Sequence, residues 1–437
     1  MNPLIIPLSA REAADATRVG SKAANLAALG RAGLPIPDGF CLDARAYRLQ
    51  IAALDLEAAA RGVFAADDGP QARRYALQMK LGLMEQPIAP AVREPLVAAW
   101  HALVEKTGAL SVVRSSALVE DRFGSSFAGQ FESFLGLEGE TDFLTAVRAC
   151  WAALWSTRAL RYMATHDLDP VDTAMALLVQ PLVAARCAGG ALSKTAEGDI
   201  LINATWGLGS AIAQGEVAPD RYLLTSDGKL KESIPGAKQR QHAAGCVHVS
   251  RPGIGSSVYS PMLCLDAGQA IELARLVHEV EALMGMPVEI EWAMDDAGFK
   301  LLQARPLHLQ AAPVPDEAWR HRPRINGQPA GVGWATGRAC VVNCECELAR
   351  VAPGDVLVTK MAGPALGEIL PRVAGVVAEL GGSTSHLASL ARERGIPMVL
   401  GALEATHRIP DGSMVAVDGV SGVVRWMQAD TAFSQVS

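Results

Sequence analysis

LGGSTSHLASLARERGIPMVLG, residues Leu380–Gly401, follows the apolar run GVVAEL and changes its period within a few residues. A strand runs into Gly381 and Gly382. Ser383, Thr384 and Ser385 then precede a helix that begins near His386 and ends at Gly395, ahead of Pro397. One imidazole therefore stands at a helix N-terminus beside hydroxyls and backbone N–H groups. Such a position stabilises an anion and disfavours a second positive charge, so His386 reads as neutral and nucleophilic, with amides ready to hold a phosphoryl group attached to it. The same letters also read as a plain helix cap followed by a surface histidine.

Outward from this string, residues 331–430 carry short Val-rich strands and Gly turns, roughly the size of one domain. PVPDEAWRHRPRINGQPA, 313–330, is rich in Pro and Arg without periodicity and reads as a linker. Before it, VEIEWAM alternates apolar Val288, Ile290 and Trp292 with Glu289 and Glu291, and FKLLQARP returns after a DDAG turn, predicting a hairpin. On the returning strand Gln303 and Arg305 share one face. Asp266–Met284 is an amphipathic helix by the spacing of Leu273, Leu276, Val277 and Val280. AMALLVQPLV and ALSVVR read as buried strands, Thr141–His166 and most of 50–107 as helical, and Ser21–Arg31 as a short capped helix.

The 437 residues set a prior of roughly two to four domains at about 150 residues each. Hydrophobic residues make up 50% and charged residues 19%, which excludes disorder for most of the chain. Lys and Arg total 39 against 46 for Asp and Glu, a net −7 without runs of like charge, which argues against a nucleic-acid partner. The most apolar stretch, Met175–Leu192, is broken by Gln180, Pro181 and Arg186, so no membrane span is expected. The N-terminus does not read as a secretory signal, and eight scattered cysteines suit reduced thiols in a cytoplasm. CECE, Cys344–Glu347, has no second Cys or His pair at finger-like spacing, which argues against structural zinc.

The Leu380–Gly401 string resembles the phosphohistidine signature of the phosphoenolpyruvate-utilising enzymes, which include phosphoenolpyruvate synthase, pyruvate phosphate dikinase and rifamycin phosphotransferase. Their swivelling domain carries His in a GGxTSH loop followed by ARExGIPxVxG. Leu380 stands for the usual Thr and Leu387 for an Ala. Five other stretches resemble that family's nucleotide-binding domain. In VGSKAANLAALGRAGLPIPDGF, Val19–Phe40, the resemblance implies that Lys22 touches ATP phosphates. In VVRSSALVEDRFGSSFAGQFESFLG, Val112–Gly136, it gives Arg114 a phosphate and puts Gly129 and Gln130 in a loop closing over the triphosphate. LLVQPLV, Leu177–Val183, matches the adenine hinge around Gln180. Pro181 lacks an N–H, so the backbone donor there is Leu182 or Val183.

The hairpin resembles the DIEWA…LQARP motif, in which Glu291 and Gln303 hold Mg²⁺ and Arg305 holds phosphate. TWGLGSAIAQGEVAPD departs from the family in Ser210, where Glu is usual, and CAGGALSKTAEGDI lacks a common Asn-Pro. Together these imply a multidomain α+β and α/β chain: an ATP-grasp-like nucleotide-binding domain over 1–312, the linker 313–330, a swivelling phosphohistidine β/α domain over 331–430, and a tail, 431–437. The implied activity is a dikinase-type phosphotransfer from ATP, yielding AMP and phosphate, through His386 to a hydroxyl or enol acceptor. Relatives bind that small-molecule acceptor on a third domain, so a separate acceptor-binding subunit is one expectation and the cleft between the two domains another. An ADP-forming ATP-grasp kinase or ligase, and an autophosphorylating nucleotide-binding carrier without turnover, remain as other readings.

Overall fold

The computed structural model describes residues 3–65, 69–119, 131, 133–165, 174–236, 262–307, 319 and 321–427. The chain forms two compact units, Met1–Ala184 with Gly298–Arg305, and Ala185–Ala297 with Pro306–Ser437. Among the described residues no helix is long and apolar enough to cross a membrane.

The first unit runs β1 (Ile5–Pro7), α1 (Ala16–Arg31), β2 (Phe40–Leu42), α2 (Ala44–Ala53), α3 (Glu57–Ala65), α4 (Gly69–Glu85) and α5 (Pro90–Thr107). There follow β3 (Ser111–Ala117), β4 (Ser133–Leu137), α6 (Glu140–Ala153), α7 (Thr157–Thr165) and β5 (Met175–Pro181). Its sheet has the order β1-β2-β5-β3-β4, with antiparallel neighbours throughout. β5 reads as a continuous apolar run because Met175–Val179 is fully buried. α1 is two helical segments broken at Gly20, whose φ is 76°. A Cβ there would lie 2.4 Å from the Ser116 carbonyl oxygen, so only glycine lets α1 cross β3 this closely. The second segment thus starts at Ser21, as the sequence predicts.

The helix expected over 141–166 is broken after Ala153. Trp155 and Ser156 close tight turns onto Ala152 and Ala153, and the Ser156 hydroxyl accepts from the Ala159 amide. The turn re-aims Trp155, whose indole N–H donates to the Tyr47 hydroxyl at 2.9 Å, while that of Trp151 donates to the Met175 carbonyl. Uninterrupted helical spacing on either side hides a break of this kind.

The second unit begins with β6 (Cys187–Leu192), β7 (Ile200–Trp206), α8 (Ser210–Ala213), β8 (Asp220–Leu224), β9 (Leu230–Ile234), α9 (Ala267–Met284) and β10 (Val288–Asp295). Strands β10, β6, β7, β8 and β9 lie side by side in that order, each antiparallel to the next. α9 opens with a capping box of Asp266 and Gln269 and closes at Gly285, matching the expected helix. β11 (Gly298–Pro306) follows β10 after a two-residue turn and belongs to the first unit through Arg305.

The remainder of the second unit contains β12 (Arg324–Asn326), β13 (Gln328–Pro329), β14 (Trp334–Val342), β15 (Val356–Thr359) and β16 (Gly375–Ala378). α10 (His386–Glu393), β17 (Met398–Leu400), α11 (Ala405–Arg408), β18 (Met414–Asp418) and β19 (Val423–Trp426) complete it. These strands make one sheet of order β12-β19-β18-β14-β15-β16-β17-β13, parallel from β14 through β17. Val356, Val358, Val377, Val399, Val415 and Val417 fill its core. The stretch read as linker therefore ends in two strands, β12 pairing with β19 and β13 with β17. Strands of two and three residues are too short to show a period, which is why this segment looks irregular in sequence. Residues 313–318 and 320 lie outside the described part.

Candidate functional site

In the first unit, α1, β3 and β11 bring three of the singled-out side chains to one corner. Lys22, buried in the first turn after Gly20, donates through Nζ to the Ser115 carbonyl at 2.9 Å. Arg114, next to it on β3, donates to the Leu302 carbonyl at 2.6 Å and to Gln303 Oε1 at 2.9 Å. Gln303 and Arg305 are both buried, two positions apart on β11, and Asn25 of α1 ties the Ala304 carbonyl between them. Two cations and an amide are thus gathered by backbone and side-chain bonds within one unit.

The hinge differs in detail. Gln180 is buried, and its amide donates to the Pro37 carbonyl at 3.0 Å, so this side chain holds the Pro37–Gly39 loop. The Leu182 N–H is taken by the Leu110 carbonyl at 2.6 Å. Of the two hinge donors expected, Val183 is the one without a backbone acceptor among the described residues. Gly129 and Gln130 lie outside the described residues.

In the second unit His386 is the first residue of α10. Ser385 is its N-cap, accepting from the Ala388 amide at 3.2 Å. The loop before it is pinned: the Ser383 hydroxyl donates to the Pro329 carbonyl at 2.6 Å, and the Gly381 amide to that of Val217 at 2.9 Å. The loop sits on β6, where a Cβ on Gly190 would fall 2.5 Å from Thr384 Cβ. Gly190 of CAGGAL is thus what this approach demands, while a Cβ on its neighbour Gly189 would instead meet the Asn203 carbonyl oxygen of β7 at 1.9 Å. The Thr384 hydroxyl is buried and has no partner among the described residues.

Sequence reasoning missed the group beneath this loop. Arg392, one and a half turns after His386, is buried and donates to the Ser383 carbonyl and to Glu289 of β10, both at 2.6 Å. Ser389 Oγ donates to the same carboxylate at 3.0 Å. Glu289 and Glu291 alternate with the fully buried Val288, Ile290 and Trp292, so both carboxylates share the face of β10 turned to α10. Glu291 is partly buried and stands opposite Gly190, under Thr384. Asn203 of β7 adds a third tie, donating to Gln328 Oε1 at 3.0 Å. The signal available in sequence was an Arg and a Glu in motif stretches. Their pairing spans 103 positions and no local pattern announces it.

Beside the loop the second unit holds a cavity of about 840 Å³ at the carboxyl ends of β15 and β16. Lys360, Glu379, Arg408, Thr205, Trp206 and Glu216 are among the residues that line it. Among the described residues no group of three His, Cys, Asp or Glu side chains is arranged to hold a metal ion.

Residues 16–322 match the family described as "Pyruvate phosphate dikinase, AMP/ATP-binding domain", and residues 351–422 match "PEP-utilising enzyme, mobile domain". Phosphoenolpyruvate synthase of Aeropyrum pernix is 33% identical over 93% of this chain and 56% of its own length. That of Escherichia coli is 28% identical over 98% of this chain and 58% of its own. A probable phosphoenolpyruvate synthase of Methanothermobacter thermautotrophicus is 31% identical over 93% of this chain and 61% of its own. The chain spans rather more than half the length of these curated relatives. Among solved structures, an NMR structure of Enzyme I aligns at 29% identity over 19% of this chain and 34% of that one, with a TM-score of 0.18, too low to argue from. The chain belongs to the family of phosphoenolpyruvate-utilising enzymes that carry the pyruvate phosphate dikinase AMP/ATP-binding domain.

Proposed function

We propose that this chain is the donor half of an ATP-dependent dikinase-type phosphotransferase, with residues 1–312 as an ATP-grasp-like nucleotide-binding domain, 313–330 as linker and 331–430 as a swivelling phosphohistidine domain. ATP is the phosphoryl donor. Lys22, Arg114 and Arg305 bear on its phosphates, Gly129 and Gln130 close over them, and the Gln180–Val183 hinge takes the adenine, with the Val183 amide as donor. Glu291 and Gln303 offer the hard oxygen donors that Mg²⁺ takes, and the ion, when bound, neutralises phosphate charge. An imidazole nitrogen of His386 attacks the β-phosphorus as the bond to the AMP oxygen breaks. Water then takes the terminal phosphate, and the phosphoryl group left on His386 passes to a hydroxyl or enol oxygen. Positioning and charge neutralisation supply the catalysis.

What carries this reading is the His386 loop itself. Its imidazole opens a helix, and the buried Thr384 hydroxyl beside it has no partner among the described residues, which suits a donor kept for a phosphoryl oxygen. Incubation with ATP and separation of the nucleotides tests it. AMP is the expected product; ADP alone would favour an ADP-forming kinase or ligase.

The acceptor has two readings, a separate subunit or a small molecule bound on this chain. The cavity of about 840 Å³ favours the second, since it falls within the size range of small-molecule sites. Lys360→Ala should then lower acceptor-dependent turnover by about 10-fold or more while leaving ATP-dependent labelling of His386 unchanged. Equal turnover in both proteins would return the acceptor to a separate subunit.

A further inference from the structure

The described cysteines fall into two groups. Cys41, Cys150, Cys187, Cys264 and Cys340 are buried thiols. Burial pushes those of Cys41 and Cys187 up to about 12, and that of Cys340 up as well. The thiolate, which is the reactive form, is scarce at such sites. Cys344 and Cys346 are the opposite case: both are exposed and they are joined to each other in a disulfide. For this pair the expectation of reduced thiols is corrected. The two cysteines are two positions apart in a tight turn, which spacing alone does not reveal.

Two observations make this more than an incidental bond. First, the turn is held without the sulfurs. The Asn343 amide donates to Glu347 at 2.8 Å, and Arg350 bonds Asp411 at 2.8 Å and the Val341 carbonyl at 3.3 Å. Opening the disulfide therefore leaves the anchors of the segment in place. Second, the pair stands on the rim of its sheet from which the His386 loop departs. Val342 lies beside Thr359, and Thr359 beside Ala378, so β14, β15 and β16 end in register. At the usual strand spacing the chain enters the Cys344 turn on the order of 10 Å from where β16 runs out toward His386.

We propose that Cys344 and Cys346 form a reversible thiol–disulfide exchange site for low-molecular-weight thiols and disulfides. An external thiolate attacks one sulfur of the pair; a mixed disulfide forms and the other cysteine leaves as thiolate. A second external thiolate attacks the external sulfur of that mixed disulfide, freeing the first cysteine. Two external thiols become one disulfide, and the protein pair gains the two electrons, with protons exchanged with water. The exposure of the pair is what makes it the labile one of the described cysteines. The proposal does not rest on the phosphotransfer reading.

The test uses the folded full-length chain, equilibrated across a series of reduced-to-oxidised glutathione ratios, alkylated without denaturant and mapped by mass spectrometry. The peptide holding Cys344 and Cys346 is expected to pass from disulfide to doubly alkylated across the series, while Cys41, Cys150, Cys187, Cys264 and Cys340 react only after unfolding. Cys344→Ser is expected to trap one glutathione on Cys346. A pair that glutathione cannot reduce in the folded protein would overturn the proposal. So would a pair that alkylates under fully oxidising conditions, or a reduced pair shielded by bound zinc.

Discussion

Arg392 is the residue on which the His386 loop rests, since it bonds both the Ser383 carbonyl and the Glu289 carboxylate inside the second unit. A buried ion pair is costly to halve. Glu289→Ala should destabilise the protein by about 3–5 kcal/mol in urea unfolding, and Glu289→Gln by less, because the amide keeps an oxygen for the guanidinium. A loss below about 1 kcal/mol in Glu289→Ala would mean that the pair does not hold the loop. Asp43 gives a separate test through pH. Burial alone would push its carboxyl up, but bonds from Arg45 and Arg18 more than reverse this and hold it below the ordinary carboxylate range. A depressed carboxyl contributes stability that is present above its unfolded value, near ~4, and is lost as pH falls through the folded value. Urea midpoints of the wild type should therefore fall more steeply below about pH 4 than those of Asp43→Asn. Parallel profiles would contradict this.

Among the elements, β6 and α10 are coupled by a missing side chain. Gly190→Ala places a methyl 2.5 Å from Thr384 Cβ and should cost about 1–3 kcal/mol by overpacking, with a shift of the His386 loop. Wild-type stability in this variant would show that the loop does not sit on β6. At this scale much was legible in sequence. The capped α9, the buried β5, the alternation along β10 and the start of α10 at His386 each follow from spacing and punctuation within a few turns of chain. What escaped was of two kinds. Short strands such as β12 and β13 carry no period, and the break between α6 and α7 interrupts a pattern that reads straight through. Both are fixed by tertiary partners, the Tyr47 hydroxyl for Trp155 and β19 for β12.

For the whole molecule, motif order along the chain is a different thing from compactness in space. Residues 185–297 share a compact unit with the His386 sheet. The reason lies in long-range bonds that local reading does not see: Glu289 to Arg392, Asn203 to Gln328, and Gly190 beneath Thr384. Site residues were legible as types at motif positions, and their partners were not. Lys22, Arg114 and Gln303 meet in the first unit through bonds to β3 and β11, while Gln180 turns to the Pro37 loop. The central claim is that His386 takes a phosphoryl group from ATP. It is tested most directly by incubating the protein with ATP labelled at the β-phosphorus and measuring acid-labile label on the wild type and on His386→Ala. The account predicts label on the wild type that acid removes, and none on His386→Ala; equal label on both proteins, or none on either, would contradict it.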